Sequence, residues 1–140
     1  MGTSKASAHW QGSLKDGRGG MKPGHGSEIA FSFGTRFEDQ NGSNPEEMIG
    51  AALAGCFSMA LSAALGRAGL NPQSINTSAS VVLEKVEGGF GITRIELDTT
   101  AKVPGAQASQ FQTIAEETKK TCPVSKALAG TNVTLRAKLE

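Results

Sequence analysis

The stretch that decides the fold is NPEEMIGAALAGCFSMALSAALGRAG, which runs from Asn44 to Gly69. It predicts one long helix, because Asn44 suits the N-cap, Pro45 the first helical position and Gly69 the C-cap. Small residues and leucine fill its middle on all sides, and a helix that is apolar all round is normally buried all round. Small side chains also let another element approach the helix backbone closely. We therefore expect a central helix wrapped by sheet, which could cross its twin in a dimer.

On either side of this helix, alternation of apolar and polar residues predicts strands, and a 3.6-residue period predicts helices. In chain order the predicted elements are a hairpin over 6–22 that turns at Lys15–Gly17, a strand over Glu28–Phe37 that bends at Gly34, the long helix, a hairpin over Ser78–Val103 that turns at Gly88–Gly89, a helix over Gln107–Lys120, a short helix that opens near Pro123, and a closing strand over 131–140. Strands and helices in separate runs predict an α+β fold. No repeat or linker interrupts this order, so we expect a single domain over 1–140.

The composition argues against several classes of function. With 14 basic and 13 acidic residues, the net charge of +1 gives no electrostatic reason to expect nucleic acid or an anionic membrane surface. The N-terminal stretch MGTSKASAHW has one lysine but lacks the apolar core of a signal peptide. The apolar run Ile49–Leu65 falls short of the ~20 residues that a membrane span needs. We therefore expect a cytoplasmic protein that binds neither nucleic acid nor membrane.

Two cysteines, Cys56 and Cys122, are the main candidates for chemistry. No CxxC motif accompanies them, and His9 and His25 lie in the glycine-rich N-terminal region, so the sequence predicts no metal site and no cofactor. Cys56, in the small-residue helix, is also typical of an inert core residue. Cys122 precedes a short helix whose N-terminus can stabilise a thiolate. From the residues alone, Cys122 is therefore the more favourable attacking thiol.

Two charged residues raise a geometric question. Glu46 lies ten positions before Cys56, which is about 15 Å along a helix at ~1.5 Å per residue. It therefore cannot touch Cys56 of its own helix, but a crossing helix in a symmetric dimer could bring it there. Charging the helix N-terminus is a sufficient alternative role for Glu46. A surface charge is the ordinary role of a residue such as Arg36 at a strand end.

Several motifs together resemble those of the OsmC/Ohr family of organic hydroperoxide reductases, and those of its OsmC branch (osmotically inducible protein C) more closely. The motifs are AHWQG, TRFE, NPEEMIGAALAGCFSMAL, KVEGGFGITRIEL and TCPVSKAL, and they extend over nearly the whole chain. The resemblance implies an α+β fold in which antiparallel sheets wrap around a long central helix. It also implies an intertwined homodimer with two active sites at the interface, and no metal or bound cofactor.

By position in these motifs, the resemblance assigns attack on the peroxide to Cys56 and resolution to Cys122. It gives Arg36 the role of holding Cys56 as a thiolate, and Glu46 the role of orienting Arg36 through a bidentate pair. The implied activity is reduction of organic hydroperoxides, and less well of hydrogen peroxide, through a Cys56 sulfenic acid and a Cys56–Cys122 disulfide. A dithiol reductant, such as a lipoylated protein or a small thiol, would reopen that disulfide. The implied setting is the response to oxidative and osmotic stress.

Three alternatives are compatible with the same residues. A non-catalytic redox sensor or interaction protein would use the same disulfide as a switch without turning over peroxide. A cysteine hydrolase would need a base beside the thiol, and neither His9 nor His25 stands in a recognisable Cys–His context. A purely structural domain would hold two unreactive thiols.

Overall fold

The computed structural model describes residues 2–140 and shows an α+β fold. Its elements are β1 (Ala6–Gln11), β2 (Arg18–Pro23), β3 (Ile29–Phe31), α1 (Phe33–Phe37), α2 (Pro45–Arg67), β4 (Ser74–Val86), β5 (Gly89–Lys102), α3 (Ala108–Thr121), α4 (Pro123–Ala127) and β6 (Asn132–Leu139). The predicted elements are present, except that the strand expected over Glu28–Phe37 is confirmed only at Ile29–Phe31, and α1 is additional. The chain divides into two compact units, 1–48 and 49–140, and the single domain expected from the sequence stays a prediction.

The N-terminal unit is built on a three-stranded antiparallel sheet in the order β1-β2-β3. The predicted hairpin is confirmed, with Gln11 opposite Arg18 at its closed end. The Gly17 N–H donates to the Ser13 carbonyl at 2.8 Å and so closes the turn. A Cβ at Gly17 would collide with the carbonyl oxygens of Ser13 and Gln11, so this tight turn requires glycine.

The segment after β3 differs from the prediction. The alternation predicted a strand over Glu28–Phe37 with a bend, but the strand ends at Phe31 and residues Phe33–Phe37 form α1. The physical reason is a capping box: the Thr35 N–H donates to Ser32 Oγ at 3.3 Å, and the Ser32 N–H donates to Thr35 Oγ1 at 2.9 Å. Arg36 therefore lies on a helix rather than at a strand end.

The C-terminal unit contains a second three-stranded sheet in the order β4-β5-β6. The predicted hairpin of β4 and β5 is confirmed, although β4 begins at Ser74 rather than at Ser78. The pairing of β5 with β6 is parallel, with Arg94 opposite Asn132, and corrects the expectation of purely antiparallel sheets. The connection through α3 and α4 is long enough to return the chain to the same end of the sheet, as a parallel pair requires.

One stripe of α2 forms the core of the C-terminal unit. Leu53, Phe57, Leu61 and Leu65 recur every four residues and are fully buried. They share one hydrophobic cluster with residues of β5 and α3, among them Ile95, Leu97, Ala101, Phe111 and Ala115. The opposite side of α2 is exposed in the single chain, where Met59 has 78% of its surface accessible. The expectation of burial on all sides is therefore wrong for one chain by itself.

The caps of α2 make it longer than its apolar run. Asn44 Oδ1 accepts the Glu47 N–H at 2.9 Å at the start. At the end, Gly69 has a φ of +80° and the Leu70 N–H donates to the Leu65 carbonyl at 2.9 Å. By length and composition alone, the resulting 23-residue helix could cross a membrane, which corrects the expectation that this segment is too short. A core helix of a globular protein meets the same criterion, and the buried stripe favours that interpretation.

Candidate active site

The two cysteines, 66 positions apart in the sequence, come together in the C-terminal unit. Cys122 Sγ lies 3.0 Å from Cys56 Sγ and donates a hydrogen bond to it. Both are free thiols. Since a disulfide bond is about 2.05 Å long, a movement of about 1 Å would allow the two sulfurs to bond. The pair can therefore cycle between dithiol and disulfide without rearrangement of the fold.

Cys122 is held at the junction of two helices. Its N–H donates to the Thr118 carbonyl at 3.0 Å and ends α3, while its own carbonyl accepts the Lys126 N–H at 3.0 Å and begins α4. Pro123 follows at the first helical position, where its missing N–H costs nothing. These bonds fix the backbone on both sides of the thiol, which is 1% exposed.

The ionisation of Cys122 runs opposite to the expectation from its place at a helix start. Burial raises the pKa of the Cys122 thiol, and its hydrogen bond to Cys56 raises that pKa further. The backbone N–H groups of Ser125 and Val124 lower the pKa, but burial outweighs them. Near neutral pH, Cys122 therefore keeps its proton and acts as the donor to Cys56. The expectation that the helix start stabilises a thiolate on Cys122 is therefore wrong.

Cys56 lies half-buried near the middle of α2 and packs against the core cluster. Two residues along the helix, Ser58 Oγ donates to Thr77 Oγ1 at 2.7 Å, and Thr77 Oγ1 lies 2.8 Å from Thr99 Oγ1. Thr99 is fully buried and donates to the Asn76 carbonyl at 3.2 Å. This chain of hydroxyls ties the segment of α2 that carries Cys56 to β4 and β5. Sequence reasoning missed it, and its signal was threonine at inward-facing strand positions.

Arg36 and Glu46 form an ion pair within the N-terminal unit. Arg36 Nη2 donates to Glu46 Oε1 at 2.7 Å, and Arg36 Nε donates to Oε1 at 3.0 Å and to Oε2 at 3.3 Å. The Glu46 side chain is only 7% exposed and that of Arg36 is 35% exposed. Charge-assisted pairs of this kind fix the orientation of the guanidinium plane. The structure brings these two residues together, and their catalytic roles stay predictions.

Asn44 positions this ion pair, a role that sequence reasoning missed. Its Nδ2 donates to the Thr35 carbonyl at 3.1 Å, while its Oδ1 caps α2. One side chain therefore joins α1, which carries Arg36, to the start of α2, which carries Glu46. The sequence signal was visible only as an N-cap asparagine.

An apolar cavity adjoins Arg36 within the N-terminal unit. It has a volume of about 330 Å³ and is lined mainly by Trp10, Leu14, Phe31, Phe33, Arg36 and Phe37. The Phe33 and Phe37 ring centroids are 5.0 Å apart, and Arg36 Cζ lies 5.3 Å from the Phe37 centroid. Aromatic walls beside one guanidinium suit a ligand with an organic group next to a polar, electron-rich atom.

Neither histidine adds a metal centre to these groups. His9 Nε2 lies 3.0 Å from Glu28 Oε1 on the exposed first sheet. Across residues 2–140, no three His, Cys, Asp or Glu side chains gather in a group that could hold a metal ion. The described residues therefore offer two adjacent thiols in the C-terminal unit and, in the N-terminal unit, one guanidinium held by a carboxylate.

Comparison with known proteins places this arrangement in a family. Residues 38–137 match the family model described as OsmC-like protein. Peroxiredoxin OsmC of Escherichia coli is 50% identical over 126 residues, which cover 89% of this chain and 88% of that protein. An organic hydroperoxide resistance protein of Xanthomonas axonopodis pv. citri is 33% identical over 91 residues, or 64% of this chain and 62% of that protein.

Solved structures show the same fold. An organic hydroperoxide resistance protein from Elizabethkingia anophelis superimposes with a TM-score of 0.74 at 24% identity, over 97% of this chain and 96% of that one. An OsmC-like protein of unknown function from Vibrio cholerae superimposes with a TM-score of 0.77 at 17% identity, over 98% of this chain and 99% of that one. The match to the family model and the extent of the similarity to the Escherichia coli protein show that this chain belongs to the OsmC-like protein family.

Proposed function

We propose that this protein is a thiol-dependent peroxidase that reduces organic hydroperoxides to alcohols in the response to oxidative and osmotic stress. The observation that carries the proposal is the pair of free thiols of Cys56 and Cys122, whose sulfurs lie 3.0 Å apart. The names of the relatives, peroxiredoxin OsmC and organic hydroperoxide resistance protein, support the same activity. No bound cofactor is required, because sulfur itself carries the two electrons.

The first step oxidises Cys56. Its thiolate attacks the distal oxygen of the hydroperoxide, the O–O bond breaks, and the alkoxide that leaves takes a proton to become the alcohol. Cys56 becomes a sulfenic acid. Cys56 is the better candidate for this attack, since it is half-buried whereas Cys122 is 1% exposed, and a nucleophile must be reached by its substrate.

The second step forms the disulfide. Cys122 attacks the sulfenic sulfur of Cys56, the S–O bond breaks, and the proton of Cys122 leaves with the hydroxyl group as water. The raised pKa of Cys122 keeps that proton in place until the sulfenic acid is formed. A dithiol then reduces the disulfide by two thiol–disulfide exchanges. We propose a lipoylated protein or a small dithiol as the reductant, and the cytoplasm, where thiols are kept reduced, as the compartment.

Arg36 and Glu46 would act on this cycle from a partner subunit. Glu46 precedes Cys56 by ten residues on the continuous helix α2, which separates them by about 15 Å along its axis. We propose a homodimer in which the Arg36–Glu46 pair of one chain serves Cys56 of the other. The guanidinium would stabilise the negative charge of the thiolate and of the departing alkoxide. The exposed, small-residue side of α2 is the surface that we propose for the dimer contact.

A charge on this side of α2 should separate the dimer. We expect Met59→Glu to sediment as a monomer and to lose most of its peroxidase activity, because Met59 is 78% exposed in the single chain and a carboxylate buried at an interface without a partner is strongly unfavourable. Ala129→Glu, which adds the same charge at an exposed position outside α2, is the matched control. A fully active Met59→Glu dimer would show that the contact lies elsewhere.

The direct test of the activity is consumption of peroxide by the unmodified protein with dithiothreitol. We expect kcat/KM for cumene hydroperoxide to exceed that for hydrogen peroxide by about 10- to 100-fold, since the aryl group gains contacts with the apolar cavity beside Arg36. Equal values would count against the cavity as a binding site. If the disulfide forms but neither peroxide is consumed catalytically, the proposal of an enzyme is overturned and the alternative of a non-catalytic redox sensor is favoured.

A further inference from the structure

The two sulfurs of the proposed disulfide are unequal in their surroundings, and from this we infer that the reductant attacks Cys56. The mixed disulfide then forms on Cys56, and Cys122 is the group that leaves. The inference rests on the proposed peroxidase cycle and assigns the direction of its last step. It therefore gives Cys56 two consecutive substrates, the hydroperoxide and the reductant, and gives Cys122 none.

Access is the first reason. A thiolate displaces one sulfur of a disulfide by approaching the other along the S–S axis, from the side away from the leaving sulfur, so the reachable sulfur is the one attacked. Cys122 is 1% exposed and belongs to the hydrophobic core cluster. A reductant directed at Cys122 would have to enter through that core. One directed at Cys56 can use the route by which the hydroperoxide reaches the same sulfur.

The acidity of the leaving thiol opposes this direction in part. A thiol of lower pKa leaves faster, and burial raises the pKa of Cys122. The backbone N–H groups of Ser125 and Val124 act in the other sense, since they stabilise a thiolate on Cys122. Access decides between the two directions, because a slow departure still proceeds, whereas attack on a core sulfur requires local opening of the protein.

The exchange balances in two displacements. In the first, the reductant thiolate bonds to Cys56 Sγ, the Cys56–Cys122 bond breaks, and its electron pair stays on Cys122, which takes up a proton. In the second, the other thiol of the reductant attacks the reductant sulfur bound to Cys56, and Cys56 leaves as a thiolate. The dithiol becomes a disulfide and loses two electrons and two protons. The protein gains both electrons and, on Cys122, one proton, and the second proton passes to the solvent.

The short distance between the two sulfurs explains why a dithiol should be needed. After the first displacement, Cys122 lies beside the mixed disulfide, and in the reduced protein its sulfur is only 3.0 Å from that of Cys56. It can attack Cys56 again and expel a monothiol. A dithiol escapes this reversal, because its second thiol is tethered and attacks at a high effective concentration.

The test locates the first adduct. The unmodified protein is oxidised with diamide, mixed with the monothiol 2-mercaptoethanesulfonate, quenched in acid over a time series and digested with pepsin. We expect mass spectrometry, extrapolated to zero time, to find about ten-fold or more adduct on Cys56 than on Cys122. In concentrated guanidinium chloride the two should react alike. Equal adducts in the native protein, a majority on Cys122, or failure of diamide to form the disulfide would overturn the inference.

Two single-thiol variants measure the access of each sulfur separately. Oxidised 2-mercaptoethanesulfonate, a symmetric disulfide, should modify Cys56 in Cys122→Ser at least about ten times faster than it modifies Cys122 in Cys56→Ser. A reversed order contradicts the inference. Peroxide consumption by the unmodified protein is measured on the same preparation. If peroxide is consumed but the adduct forms on Cys122, the inference is overturned and the proposed peroxidase activity stands. If the adduct forms on Cys56 but no peroxide is consumed, the proposed peroxidase activity is overturned and Cys56 is still the sulfur that thiols attack.

Discussion

Cys56→Ser is expected to lower the consumption of cumene hydroperoxide by about a thousand-fold or more, as the loss of a covalent nucleophile generally does. A serine hydroxyl is hardly ionised near neutral pH and is a far weaker nucleophile toward peroxide oxygen than a thiolate. The substitution replaces one atom at a half-buried position of α2, so the fold should persist. Circular dichroism and the thermal midpoint provide that control.

Cys122→Ser should fail differently, and the contrast assigns the two roles. We expect one equivalent of hydroperoxide to be consumed rapidly per chain, followed by the slow rate at which dithiothreitol reaches the sulfenic acid directly. Because no thiol remains 3.0 Å from Cys56 to form a disulfide, excess peroxide should carry Cys56 on to sulfinic acid. Rapid-quench kinetics and intact mass measure both effects. A reversed pattern, with the burst in Cys56→Ser, would make Cys122 the attacking thiol.

Arg36→Lys is expected to lower kcat/KM by about 100-fold, the usual effect of removing one oriented donor from a site of developing negative charge. Lysine keeps the charge but cannot reproduce the planar contacts of Nη2 and Nε with Glu46. Glu46→Gln should produce a loss of similar size, because it leaves the guanidinium without its anionic partner. The double variant should be little worse than either single variant, since both remove the same orientation.

Arg94→Lys is the matched control for the prediction on Arg36→Lys. Arg94 also donates to a carboxylate, at 2.9 Å to Glu84, but both side chains are more than 40% exposed, and such surface pairs contribute little. Its activity should therefore equal that of the unmodified protein. Full activity of Arg36→Lys would mean that the Arg36–Glu46 pair only supports the fold. Since the Glu46 side chain is only 7% exposed, unfolding curves must accompany the kinetics of both Arg36→Lys and Glu46→Gln.

Sequence rules predicted the structure correctly where the residues that determine a conformation lie within a few positions of one another. The N-cap at Asn44, the C-cap at Gly69 and the hairpin turn at Gly88–Gly89 are sequence signals, and the structure confirms each of them. The same reasoning failed over Glu28–Phe37, where strand alternation and the Ser32–Thr35 capping box compete. Residues 33–37 form a helix because the hydrogen bonds of the capping motif form within one helical turn, whereas a strand needs a partner along its whole length.

The sequence by itself determined the α+β order, the capped helix α2 and, through its motifs, the family and the four candidate residues. Only the tertiary structure decided the parallel pairing of β6, the exposed side of α2 and the ionisation of Cys122. Each of these depends on what packs against a residue from distant parts of the chain. Cys122 shows this most directly: its place at a helix start favours a thiolate, but the core around it favours the protonated thiol. Desolvation outweighs the local hydrogen bonds, and desolvation is a property of the folded chain that no neighbouring residue in the sequence reveals.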